Sequence, residues 1–581
     1  MAPPRTTKRL LTAAAASALG LTVLGAAPAS AATFTASNIA ELRDAVAQAN
    51  ATPGNDQIRL TDDISFRGTE GDIEVTDPLV IVGRDMTINA AGVDRAFRVV
   101  DTRLAVRNAT VRNGAPAAGE SGGAFLNDGG TLNLVNVTAV NNTVTGAGAS
   151  GGAVASINDG TLNVTGSTLA RNSATRAGGA IEANGGTTSI ETSTLSRNST
   201  GAGPGNGGGL HLTGAGTVSV VDSVVVNNVA SSEGGGLWNS GLGTMTVSNT
   251  RIANNEAAGA TATEGGGGLF QEAGEAGTLT VTGGSVTGNK ATGAAGSGGG
   301  VLNDQGTVSI TGTTIAKNVS MRAGGGIEAN AGATTLDEVT LNSNQTGAAP
   351  GNGGGLHLTG AGTVDVSSST VAGNTAASEG GGLWNSAVGT MTVTDTQLRG
   401  NTASGSAADN GGGALFNDGG TLTVVQGTIT NNKADTGSGS GGGLLTVAGT
   451  VEVINSTFAR NSANRAGGAA EIIAGDVTID RSTLSRNATG PNPGNGGAVH
   501  VSGAADTTIK RSKVVNNTAT NEGGGLWNSG TGTMTVNDVR VAGNTAAGVE
   551  ATNGGGGVFQ DAGGELNIVQ STIVKNKATG A

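Results

Sequence analysis

The three histidines and three tryptophans of this 581-residue chain share one sequence context. Each follows a run of glycines and one or two apolar residues. Read from one such run to the next, that position cycles with a period of five. It gives Glu182, His211, Trp238, Phe270 and Leu302, then Glu328, His357, Trp384, Phe416 and Leu445, then Glu471, His500, Trp527 and Phe559. Glu beside His is the pairing of general acid–base chemistry, and paired carboxylates cleave glycosidic bonds. Glu182, His211, Glu328, His357, Glu471 and His500 are therefore the candidates for catalysis. Aromatic rings stack on sugars or pack against protein surfaces. Trp238, Phe270, Trp384, Phe416, Trp527 and Phe559 are the candidates for binding.

Two features oppose catalysis, and no catalytic set is assigned. Glu182 to Glu328 spans 146 residues and Glu328 to Glu471 spans 143, so the same residues come three times over. Active sites are few per protein, whereas a duplicated surface is repeated. No single repeat departs from the others to gather an Asp cluster and a base. One His per cycle is also a poor metal site, since first-row metals want several ligands close together. Neither metal nor cofactor is expected. Two readings of the aromatic column stay open: an exposed multivalent binding face, or a self-stacking ladder that pins register and lies under a turn or a neighbouring rod.

The elements that position this column follow from the repeat. A Gly-Gly pair leading an apolar run recurs sixteen times, from Gly122 to Gly554, at steps of 26 to 33 residues. Each repeat holds three strand-like segments. One follows the glycines, as in Gly178-Gly179-Ala180-Ile181. One alternates Thr with apolar residues, as in Thr161-Leu162-Asn163-Val164 and Thr244-Met245-Thr246-Val247. One ends in Asn, as in Leu169-Ala170-Arg171-Asn172. Period-two alternation with Thr and Val marks a strand with one buried face. A unit this small cannot bury that face alone, but coils stacked about 4.8 Å apart can. The fold predicted is all-β: a right-handed parallel β-helix of three-strand coils, about sixteen in number. Such a stack would be about 75 Å long, with equivalent column residues about 24 Å apart.

Within each glycine-led segment the first apolar residue must face the core, so the next one points the other way. One Asn per coil, from Asn142 to Asn576, can form an amide ladder at an equivalent turn. Residues 121–581 form the regular helix. Residues 33–120 hold its N-terminal cap and first irregular coils. Ile39, Leu42, Val46 and Ala49 have helical spacing and predict a short capping helix. Gln57 to Leu60, Leu79 to Val82 and Phe97 to Val100 read as the first strands. The chain stops shortly after Asn576 with no capping pattern.

Residues 1–32 read as a signal peptide. Arg5, Lys8 and Arg9 precede an apolar run from Leu10 to Leu24, and Ala29-Ser30-Ala31 offers a cleavage site. No other stretch is long and apolar enough to span a bilayer. Secretion to the exterior or the cell surface follows as the expectation. A secreted chain without cysteine must be held by its ladders and packing alone. The net charge of −12 argues against nucleic acid as a partner.

Gly178-Gly179-Ala180-Ile181 and Phe458-Ala459-Arg460-Asn461 together resemble the paired repeats of chlamydial-type polymorphic outer-membrane proteins. Other copies relax Ala to Gly, and Phe to Leu, Ile or Val. The resemblance covers about residues 110 to 581. Glu41-Leu42-Arg43-Asp44-Ala45 is similar to the leading CSLREA segment, without its Cys. The resemblance implies a surface-exposed, often adhesive β-helix, within a superfamily that includes pectate-lyase-like enzymes. The terminal barrel of that family has no counterpart here. Three functions are carried forward. The first is a secreted, non-enzymatic, adhesin-like protein that binds a polysaccharide or a surface or matrix component. The second is a polysaccharide lyase or glycoside hydrolase. The third is a purely structural rod, for which end-to-end or lateral self-association also fits.

Overall fold

The computed structural model describes residues 31–580, apart from 69, 70, 275, 349 and 551. Residues 1–30 of the expected signal peptide lie outside them. The chain forms a right-handed parallel β-helix of about 17 turns with one short helix. Every strand pairs in parallel with its counterpart in the next coil. Ile181 sits beside Leu210, and Val218 beside Met245.

Each coil bends at residues suited to bending. The glycine-led strand (Ile181–Asn184 in one coil) runs into the Thr-rich strand (Thr187–Glu191) and then a three-residue strand (Thr194–Ser196). These last two belong to one sheet, and they are continuous in Arg103–Arg112 and Thr131–Val140. The third face of the coil is instead a two-residue strand after the ladder Asn, such as Ser173–Ala174. The sequence places three strands per coil; the structure joins the second and third and adds this short one. The corner comes from a left-handed residue just before the Asn, with φ of 54° at Arg171 and 56° at Asn227. Asn tolerates that conformation better than most residues, and Arg171 is held there by the ladder that follows.

One mostly aliphatic core runs along the axis from Ala36 to Val541, and it includes Ile181, Leu210 and Leu237. The Asn residues form the predicted ladder. From Asn142 to Asn576 each side-chain amide donates to the Oδ1 of the next Asn at 2.9–3.0 Å. Each of these oxygens also accepts the backbone N–H of the Asn before it, as Asn172 Oδ1 does from Asn142 at 3.0 Å. A buried polar row is tolerated because its members are paired.

Helix α1 (Ile39–Ala51) packs Ile39, Leu42, Ala45, Val46 and Ala49 against the first strands. Asn38 caps its start by accepting from the Glu41 N–H, and Glu41 accepts in turn from the Ser37 backbone. The strands expected from sequence are present as Asp56–Leu60, Leu79–Val82 and Phe97–Val100, and a strand that precedes the helix, Thr33–Ala36, pairs with the first of them. Among the described residues no helix is long and apolar enough to cross a membrane.

Candidate functional site

The glycine-led strands bring the fourteen column residues into one continuous row. Glu182 pairs with His211, His211 with Trp238, Trp238 with Phe270, and Phe270 with Leu302, which adjoins Glu328 of the next cycle. The order repeats through Glu328, His357, Trp384, Phe416 and Leu445. It closes with Glu471, His500, Trp527 and Phe559.

The row points away from the axial core, as alternation requires, but it does not face solvent. Trp238 is 4% exposed, Trp384 9%, and Phe270 and Phe416 2% each. The expectation of an open outward face is corrected here, and the physical reason lies in the glycines. The glycine run turns back over its own strand. A Cβ on Gly207 would lie 2.7 Å from the His211 Cβ, and one on Gly234 would lie 2.8 Å from the Trp238 Cβ. Gly207 also has φ of +64°. Only a residue without a side chain fits such a turn. The aromatic residues thus make small second cores, Trp238 with Phe270 and Leu302, and Trp384 with Phe416 and Leu445. Trp527 and Phe559, in the last described coils, are only partly covered.

Both faces of each tryptophan are occupied. A histidine ring lies 4.2 Å away on one side in all three cycles. A phenylalanine ring lies 5.8–6.1 Å away on the other. The indole N–H donates to a glutamate five residues earlier: Trp238 to Glu233 at 2.9 Å, Trp384 to Glu379 at 3.1 Å and Trp527 to Glu522 at 3.0 Å. Burial pushes the Glu233 carboxyl up to about 7, against the indole hydrogen bond, and neighbouring Glu264 and Glu272 push the same way. Burial raises Glu379 likewise.

The acid–base candidates are also brought together. His211 Nδ1 lies 3.0 Å from Glu182 Oε2, His357 Nδ1 lies 3.1 Å from Glu328, and His500 Nδ1 lies 2.9 Å from Glu471. An arginine completes each group: Arg176 at 3.7 Å, Arg322 at 3.3 Å and Arg465 at 3.2 Å from the same carboxylates. In two cycles a threonine hydroxyl, Thr213 or Thr359, donates to the glutamate at 2.7 Å. Ser502 stands there in the third. Burial works against the charge of Glu328, but His357, Arg322 and Thr359 outweigh it and hold its pKa below the ordinary carboxylate value. These carboxylates are sealed and fully engaged, so they orient histidines and cannot reach a substrate. The ring nitrogen left over is Nε2.

Beside this edge is a pocket of about 210 Å³ whose lining includes Arg176, Pro204, Asn206, His211, Trp238 and Glu272. In the sequence, Arg176, Arg322 and Arg465 precede the Glu-bearing coils, and Glu233, Glu379 and Glu522 precede the Trp-bearing coils. The sequence had not pointed to Thr213, Asn206 or Glu272. Thr213 was within reach of pattern alone, because two residues after His211 it must share its face. Among the described residues no group of three or more His, Cys, Asp or Glu side chains is placed to hold a metal ion. Comparison with family models, with curated proteins and with solved structures returns no match. The fold implied by the repeat resemblance is therefore carried by the structure alone.

Proposed function

We propose that the chain is a secreted, non-enzymatic rod, serving as an extracellular spacer or surface element, in which the Glu/His/aromatic column is an internal spine. The observation that carries this reading is the occupation of both faces of all three indoles. A sugar ring or a protein surface that stacked on those faces would have to displace a histidine or a phenylalanine. Threefold repetition of the Glu–His pair, with each carboxylate sealed, supports a positioning role in place of catalysis. The basic and apolar pattern of residues 5–31 supports export.

Two measurements test the proposal. Cell fractionation should recover the protein from the medium or the cell surface, beginning near residue 32; retention inside the cell would overturn the secreted half. Incubation with neutral and acidic polysaccharides should release no new chain ends. Product release that disappears in His357→Ala would overturn the non-enzymatic half.

A further inference from the structure

The pocket beside His211 is rich in acceptors and poor in free donors. Among the described residues no hydrogen bond engages His211 Nε2, and His211 lines the pocket. Asn206 is 8% exposed, and its amide nitrogen donates to Glu233 at 3.0 Å. Its Oδ1 is buried without a donor. A buried acceptor in that state calls for an explanation, and a bound donor is the usual one. Glu272 adds a carboxylate, which among the described residues accepts only the Gly241 N–H at 3.1 Å. The one cation in the lining, Arg176, is committed to Ser150 and to Glu182. Glu233, Glu264 and Asp304 make the wider surroundings acidic, and so does the chain's net charge of −12.

The residues recur in each cycle. Pro204-Gly205-Asn206 recurs as Pro350-Gly351-Asn352 and Pro493-Gly494-Asn495, and Glu272 recurs as Asp418 and Asp561. Asn352 Oδ1 is again buried and unpaired. Burial raises the Asp418 carboxyl and His357 acts in the opposite sense, so this carboxylate is within electrostatic reach of the second histidine. The third copy differs: Asn495 Oδ1 already accepts from Asn521 at 3.2 Å.

We propose that this pocket, repeated once per five-coil cycle, binds a primary ammonium group carried on an amino-sugar glycan. An ammonium has three donors and no acceptor, the complement of an amide oxygen and a carboxylate. Pro204 and the Trp238 edge supply an apolar wall for the C–H groups of a sugar ring, a use the bare head of a lysine side chain would not make of them. Sites about 24 Å apart along a straight rod suit a linear polymer, which gains avidity by engaging more than one.

The test is titration calorimetry on the full chain with a glucosamine hexamer, its fully N-acetylated form and a Lys-rich hexapeptide. The free-amine hexamer should bind, and binding should weaken with salt. The acetylated hexamer should not bind. Glu272→Gln/Asp418→Asn/Asp561→Asn together should weaken binding about tenfold or more, while the melting temperature stays put. A charge-matched control, Glu191→Gln/Asp365→Asn/Glu452→Gln, should bind like the parent. Equal binding of the acetylated hexamer would overturn the ammonium assignment. Equal loss in the control would reduce the effect to net charge and overturn the site. Binding of the peptide without the hexamer would overturn the glycan.

Discussion

Glu233 and Glu379 each sit under a tryptophan, and their chemistry sets a pH dependence. A folded-state pKa above the unfolded one favours the protonated carboxyl in the fold. That stabilisation is complete below the unfolded value and is lost as pH rises through the folded one. For Glu233 the window runs from about 4.5 to about 7. Glu233→Gln/Glu379→Gln keeps an acceptor for each indole and removes the charge. The variant should gain stability over the parent as pH rises through that window, by at most on the order of 3 kcal/mol from Glu233 and in the same direction from Glu379, read from urea melts at several pH values. Glu328 has the opposite sign, with its contribution lost as pH falls below the usual carboxylate range. A parent whose stability did not decline between pH 4.5 and 7 relative to the double variant would contradict the buried Glu–indole geometry. Much of this residue pattern was legible in advance. Arg176 and Glu233 stood out as charges placed before particular coils. Their partners were not legible, because the partnership depends on a loop that returns over a strand, and alternation says nothing of what lies above the outer face.

That return is a property of the glycine run. Strand periodicity correctly divided inward Ile181 and Leu210 from the column beside them. It could not tell a solvent-facing column from one covered by its own turn, since both have the same alternation. Two glycines separate the contributions. Gly214 has φ of +74° and open space where a Cβ would project, whereas Gly207 has φ of +64° and the His211 Cβ in the way. Gly214→Ala should cost about 1 kcal/mol from conformation alone. Gly207→Ala should cost clearly more, and hydrogen exchange should show the loss concentrated in the coils around His211 and Trp238. Equal effects of the two changes would mean that the turn does not press on the column. The short strand after each ladder Asn was missed for a related reason: two residues are too few for a period to register.

At the scale of the whole molecule the architecture was the most legible feature, because sixteen copies of one glycine signal outweigh any local ambiguity. The period of five is legible too, and it has a mechanical meaning. Residues 205–218 and 351–364 are the same text. Removing residues 205–350 would join Pro204 to Gly351 without creating any new junction in that segment. Glu182 would then lie under His357, the relationship Glu328 has in the intact chain. The shortened protein should fold, keep its cross-section and lose about 24 Å of length, measurable by small-angle scattering. Misfolding of this deletion would show that the coils are not interchangeable by cycle. If they are, reach becomes a quantity that unequal crossing-over between gene copies can dial in fixed increments, leaving diameter, core and every pocket as they were.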